Sequence, residues 1–320
     1  MKLRKITVPT PFAIGPVNLY LIEDEQLALV DAGPKTDEAI EALKSGLSIA
    51  GYSLSDIDFI ILTHTHEDHY GLARFIKDRS GAKLYTHKAN LSLLTDREAE
   101  FHRIFEVSQK RLLHNAGVPD AAVASMRPMV ETLESCGDQV EVDRALEDGD
   151  VLWVGKTKLE VVYTPGHSQG SICLYSAADR ALFSGDHLLA HVSSNAVIEE
   201  PLDCGDCRPR SLVEYVASLR RIQDMDLAVV YPAHGEDIFD YRTLIEERMR
   251  LYERRKQDIL NALGDKEKTP YQLAMALFSE LHPFEVFLAV SEVIGHLDLL
   301  EVDGKVKWRE DNDVIRYRRA

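Results

Sequence analysis

The stretch Ile60-Ile-Leu-Thr63-His64-Thr-His66-Glu-Asp68-His69-Tyr-Gly71 decides how this chain is read. From Ser55 to Thr63 the chain runs into an unbroken apolar tract, the pattern of a strand covered on both faces. Three imidazoles and a carboxylate follow within six residues. Side chains spaced so closely after a strand can converge on one point. Histidine and carboxylate donors suit Zn²⁺ first, with Fe and Mn²⁺ also accepted. A lone histidine near a strand end is ordinarily a surface residue. Three with an aspartate at a strand-to-helix junction call for a metal.

Three later segments repeat the grammar. Thr164-Pro-Gly-His167, Phe183-Ser-Gly-Asp186 and Pro232-Ala-His234-Gly each set one donor at the end of an apolar run beside a glycine. Each alone reads as a tight turn. In this order after the first motif, they read as further ligands.

Outward from the motif, strand and helix signals alternate. Ile14–Ile22 has Val17, Leu19 and Leu21 at period two, and Gln26–Asp31 is a short strand closed by Ala32-Gly33-Pro34. Thr36–Ala50 has helical spacing at Ile40, Leu43 and Leu47. Gly71–Arg79 is helical and Lys83–His87 is a strand. Strands return at Val151–Val154, Lys158–Tyr163, Ser171–Tyr175, Ala181–Ser184 and Leu227–Tyr231, with a helix over Arg210–Met225. This alternation predicts a layered α/β domain over residues 1–243.

Residues 90–140 interrupt the pattern. Helical periodicity around Phe101, Ile104, Phe105, Leu112 and Leu113, a break at Gly117-Val-Pro-Asp, and a second helix over Asp120–Leu133 describe a helical insertion projecting from the sheets. Phe101, Phe105 and Leu112 are candidates to line an apolar substrate pocket there. His102 and His114 read as solvated. Beyond residue 243 the expectation is a small second domain, 244–320. It has a charged helix to Leu263, a capped start at Thr269-Pro270, a helix over Phe284–Leu300, and a hairpin turning at Asp303-Gly304. Three helices and a hairpin make a winged helix.

Composition bounds the alternatives. The chain has 320 residues, and its 45% hydrophobic content is that of a globular protein, which excludes a disordered or fibrous class. A formal net charge of −16 repels phosphate backbones over long range. Four cysteines are too few for a disulfide scaffold, and Cys204-Gly-Asp-Cys207 reads as a chance spacing. There is no apolar signal region and no run near the roughly 18 residues of a membrane span, so the expectation is a cytoplasmic chain without a membrane partner.

The order HxHxDH, His, Asp, His resembles the metallo-β-lactamase superfamily over residues 10–240, with a glyoxalase II-like catalytic domain and an appended winged helix. The resemblance implies an αββα sandwich with its site at one edge between two sheets. It implies that His64, His66 and His167 hold a first metal, that Asp68, His69 and His234 hold a second, and that Asp186 bridges the two. It matches Asp31 to a buried aspartate that braces the metal loop. His187 and His191, close to Asp186 in sequence, are candidates for the surrounding shell or for substrate contact. Oxygen-reducing diiron relatives carry glutamate where this chain has His66, which argues against a redox or merely binding role.

Two metal ions about 3.5–4 Å apart can hold a water between them and lower its pKa to about 7. The expected reaction is attack of that metal-bridging hydroxide on an ester-like bond, a thioester or lactone, of a small molecule, with Asp68 orienting the nucleophile and shuttling its proton. The competing expectation is an endoribonuclease or phosphodiesterase. The winged helix favours it. The charge opposes it, as does a helix at 284–300 that carries Glu285, Glu292 and Asp298 and no cation. Packing or homodimerisation is the expected role of that helix.

Overall fold

The computed structural model describes residues 1–199, 208–278 and 281–320. One sheet takes six strands in the order of the chain: β1 (Lys2–Val8), β2 (Val17–Glu23), β3 (Leu27–Val30), β4 (Phe59–Ile61), β5 (Lys83–His87) and β6 (Arg144–Leu146). The first three pair antiparallel and the rest parallel. The second sheet holds β7 (Val151–Val154), β8 (Thr157–Tyr163), β9 (Ile172–Ser176), β10 (Ala181–Gly185) and β11 (Val229–Pro232), with β10 and β11 parallel.

The two sheets pack face to face. Tyr20, Ile22, Val30 and Ile61 of the first share a core with Val154, Leu159, Leu174 and Phe183 of the second. The alternate residues of β2, Leu19 and Leu21, face the other way and join the helices Asp37–Ala50 and Ala73–Ser80. The outer face of the second sheet, with Val162, Leu182 and Val230, is covered by the helix Ser211–Gln223. The result is the four-layer αββα sandwich.

This layering corrects the reading of β2. Period two predicted one wet face, yet all seven residues are buried, because both faces of the sheet are covered.

The insertion is more broken than two helices. Short helices at Leu91–Thr95, Arg97–His102, Gln109–Asn115, Asp120–Ala124 and Arg127–Ser135 are joined by a π-helical turn over Arg103–Ser108. Nor does it project alone. Leu113, Ala116, Val118 and Met126 share a core with Ile259, Leu273, Val290 and Leu297 of the C-terminal helices.

Those helices span Tyr241–Leu263, Pro270–Leu277 and Pro283–Val302. Thr269 caps the second through a reciprocal box with Gln272, as the sequence predicts. The hairpin is misplaced in the sequence reading. Asp303-Gly304 closes the third helix instead: the Lys305 and Gly304 amides donate to the Leu300 and Glu301 carbonyls, with Gly304 at φ +66. The turn lies further on, between β12 (Val306–Asp311) and β13 (Val314–Arg319), where Asn312 and Asp313 both take positive φ. An Asp-Gly pair suits a helix stop as well as a hairpin, so the dipeptide alone did not decide.

The third helix is packed in. Val290, Val293 and Leu297 are buried, and buried Asp298 accepts from Arg208 at 2.6 and 2.9 Å. Among the described residues no helix is long and apolar enough to cross a membrane.

Candidate metal centre

The strands place the donors. β4 ends at Ile61, and the chain then turns through His64 and His66 into a single helical turn, Glu67–Tyr70, that carries Asp68 and His69. His167 lies between β8 and β9, Asp186 directly follows β10, and His234 follows β11. Gly185 lets β10 deliver its aspartate: at φ +50, an added Cβ would meet Thr63 Oγ1 at 2.6 Å.

All seven side chains converge at one end of the sandwich. His66 Nδ1 lies 3.1 Å from His64 Nε2 and 3.0 Å from His167 Nε2. Nitrogens bound at about 2.0–2.1 Å around one tetrahedral ion lie ~3.3 Å apart. These three with Asp186 form one group able to hold a metal, and Asp68, His69 and His234 form another. The Asp186 carboxylate faces both. Its Oδ2 is 3.6 Å from His167 Nε2, and its Oδ1 is 3.5 Å from His69 Nε2 and from His234 Nε2. Asp68 Oδ2 lies 3.4 Å from His234 Nε2.

The donor set fits a cation and little else. His69 Nε2, His234 Nε2 and Asp186 Oδ1 are buried without a hydrogen-bond partner among the described residues. Leaving such atoms unpaired costs roughly 1–3 kcal/mol each. A divalent ion satisfies all of them together.

The matched family model is that of the metallo-beta-lactamase superfamily, over residues 13–234. The chain belongs to that superfamily. A probable metallo-hydrolase of Bacillus subtilis (strain 168) is 36% identical over 98% of this chain and 96% of its own length. A metallo-beta-lactamase family protein of Thermus thermophilus superposes with a TM-score of 0.82 at 30% identity, covering 99% of this chain and 98% of its own. An atrochrysone carboxyl ACP thioesterase of Paecilomyces divaricatus is 32% identical over 52% of this chain and 49% of its own length. Membership makes the chain a metallo-hydrolase of this superfamily.

In this superfamily member the outer nitrogen of several imidazoles is held, which fixes ring and tautomer. His69 Nδ1 meets Asp31 Oδ2 at 2.9 Å, His234 Nδ1 meets the Pro16 carbonyl at 2.8 Å, and His167 Nδ1 meets the Asn195 carbonyl and Ser194 Oγ at 2.9 and 2.8 Å. Asp31 also accepts from the Thr63 amide at 2.8 Å, and it does so from a left-handed backbone, φ 61.

Electrostatics divide the imidazoles. Burial, then the neighbouring rings, holds His64 well below the ordinary histidine range and brings His66 down to about 3. Burial lowers His167 as well. Burial also opposes charge on His69, but Asp186, Asp68 and Asp31 together outweigh it and raise the group well above that range. The same contest, won by Asp68 and Asp186, raises His234. Burial disfavours charge on Asp186, yet His69, His234 and His167 pull it well below the usual carboxylate range.

The other predicted residues divide. Phe105 and Leu112 line a chamber beside His66, while Phe101 lies behind, its ring 4.3 Å from Phe105. His187 is buried against Tyr215, 5.0 Å between rings, with no hydrogen bond to a ligand, and His191 is exposed near Gly235. Neither supports a donor of the centre. His102 and His114 are exposed, as expected. Cys204 and Cys207 lie outside the described residues.

Several supporting residues escaped the sequence reading. Asn18 Nδ2 donates to the Pro232 and Gly235 carbonyls at 3.2 and 2.9 Å, and Tyr20 donates to Pro232 at 2.7 Å, pinning the His234 loop to β2. Arg248 donates to the carbonyls of Leu189, Ala190 and Val192 beyond Asp186. The only sequence signal was polar residues in an apolar strand and one arginine in a charged helix.

Proposed function

We propose that this chain hydrolyses a thioester or lactone of a small molecule at a centre of two divalent ions, with Zn²⁺ the first choice and Fe or Mn²⁺ the others. The observation that carries the reading is the Asp186 carboxylate, whose two oxygens face different imidazole groups. On this reading His64, His66 and His167 hold one ion, Asp68, His69 and His234 the other, and Asp186 both. Metal ions held there supply a water acidic enough to be a nucleophile at neutral pH, and they polarise the electrophilic oxygen. Asp68 takes the proton at a carboxylate oxygen and returns it to the departing thiolate or alkoxide. Asp31 keeps His69 Nε2 aimed inward by fixing its Nδ1. The relative named as an ACP thioesterase supports ester-type chemistry.

We read the C-terminal helices and hairpin as a winged-helix-like unit on a catalytic domain ending near residue 243. One observation favours phosphodiester or RNA cleavage as the second reading. Lys307 faces Arg318 across the hairpin, and Arg309 faces Arg316. Arg309 is neutralised by Glu267, but Lys307 and Arg318 have no carboxylate in ion-pair range among the described residues. Against it stand the net charge of −16 and the buried helix Pro283–Val302.

A substrate panel decides. Protein loaded with Zn²⁺, Mn²⁺ or Fe²⁺ is assayed against a thioester, a lactone, a phosphodiester and a short RNA. The expected result is ester-type turnover that is lost in His64→Ala. RNA cleavage lost in the same variant, without ester turnover, overturns the proposal.

A further inference from the structure

Next to the centre lies a chamber of about 130 Å³. Its apolar wall is Leu93, Ile104, Phe105 and Leu112 of the insertion, closed by Val197 and Ile198 beyond β10. His66 belongs to the same lining, so chamber and metal centre share a side chain.

Several polar groups in the lining are engaged with neighbours. Arg103 donates to Glu100 Oε2 at 2.9 and 2.7 Å. Asn90 Nδ2 donates to Thr86 Oγ1 and to the Gly170 carbonyl at 2.9 and 3.0 Å. Glu199 Oε2 accepts from the Gln169 amide and side chain at 2.9 and 3.1 Å. Burial also pushes Glu199 up to about 7, which weakens its charge at neutral pH. Most of the surface left for an occupant is apolar.

Size narrows the occupant further. A dry cavity of about 150 Å³ lined by Leu, Ile and Phe takes up benzene. The apolar wall here, Leu93, Ile104, Phe105, Leu112, Val197 and Ile198, has that chemistry, and the chamber has nearly that volume.

We propose that this chamber seats the acyl group of the substrate and selects a compact apolar acyl group of about benzene size. The inference rests on the ester-hydrolase reading. In the reaction the acyl carbon–sulfur bond breaks, water supplies the hydroxyl to the acyl carbon and a proton to the thiolate, and a carboxylic acid and a thiol leave. Only an acyl group reaching past His66 into the chamber gains from the wall, because its carbonyl must stay at the centre.

The test uses one thiol with acetyl, butyryl, hexanoyl, benzoyl and dodecanoyl groups, in the wild type, Leu112→Trp and Leu93→Ala. Each buried methylene raises kcat/KM by about fourfold until the space is full. Hexanoyl, with four more methylenes than acetyl, should exceed it by up to about 250-fold, and benzoyl by about 100-fold, with no further gain at dodecanoyl. Leu112→Trp fills the chamber and should move the optimum to acetyl or butyryl, and Leu93→Ala should move it to longer groups. Fluorine NMR of fluorobenzene reads the chamber without chemistry: its resonance should broaden with the wild type and sharpen with Leu112→Trp.

Fluorobenzene binding without turnover of any of these thioesters or of the lactone in the substrate panel sinks the hydrolase reading, and the acyl assignment with it, while the chamber remains an apolar site. Thioester turnover that ignores acyl size and both substitutions, with no fluorobenzene broadening, overturns the chamber assignment alone. If Leu112→Trp does not fold, the Leu93→Ala shift decides.

Discussion

At the scale of single residues, the centre depends on atoms that do not themselves face a metal. Asp31 is the sharpest case. Its carboxylate spans the Thr63 amide and His69 Nδ1, and it holds a backbone conformation that non-glycine residues seldom adopt. Such outer partners typically contribute 10–100-fold to metal affinity. Asp31→Ala should therefore weaken metal binding by about that factor while the seven facing donors remain, as competition with a chromophoric chelator would measure. Unchanged affinity would show that packing alone orients His69. The donors were legible because imidazoles and carboxylates clustered at strand ends have few roles besides holding a cation. Asn18 and Tyr20 were not, because a polar residue in an alternating strand reads as solvent-facing until its partner strand is known.

At the scale of elements, the first hairpin is secured at one end by a buried carboxylate. Glu23 at the end of β2 accepts from Lys2 and Arg4 of β1 and from Tyr52 after the first long helix, with the Arg4 bond at 2.8 Å. Burial works against its charge, yet these donors prevail and hold the group below the ordinary glutamate range. A depressed folded-state pKa means that the unfolded chain binds the proton more readily. The stabilisation is then complete above the ordinary glutamate range and fades as pH falls through the depressed value. Glu23→Gln should lower stability at pH 7 and flatten its decline between about pH 5 and 3, as urea unfolding across that range would show. An equally steep acid decline in the variant would assign the dependence to other carboxylates. The misread hairpin belongs to this scale too. Asp303-Gly304 and Asn312-Asp313 are both turn signals, and the choice fell to the helix, whose Leu297 and Leu300 stay buried up to its last turn.

At the scale of the whole molecule, the centre is where the two halves of the sandwich meet. His64 to His69 follow a strand of the first sheet, whereas His167, Asp186 and His234 follow strands of the second. Metal held between them would tie the sheets together, and its loss would leave buried carboxylates and imidazoles to face one another. Dialysis against a chelator should therefore lower Tm, and added Zn²⁺ should raise it again, with about 2.7 kcal/mol of stabilisation per occupied site at a free concentration of 100 Kd. A Tm indifferent to chelation in calorimetry would mean that the sheets are held by their apolar interface alone. The sequence by itself determined the set of clustered donors and the layering, because side-chain type, spacing and hydrophobic period are local properties of the chain. Tertiary structure alone decided that β2 is buried on both faces, that the insertion shares a core with the C-terminal helices, and that Val197 and Ile198 complete the chamber beside His66. Those facts are contacts between segments far apart in the chain, and no local pattern encodes which distant surface a residue will meet.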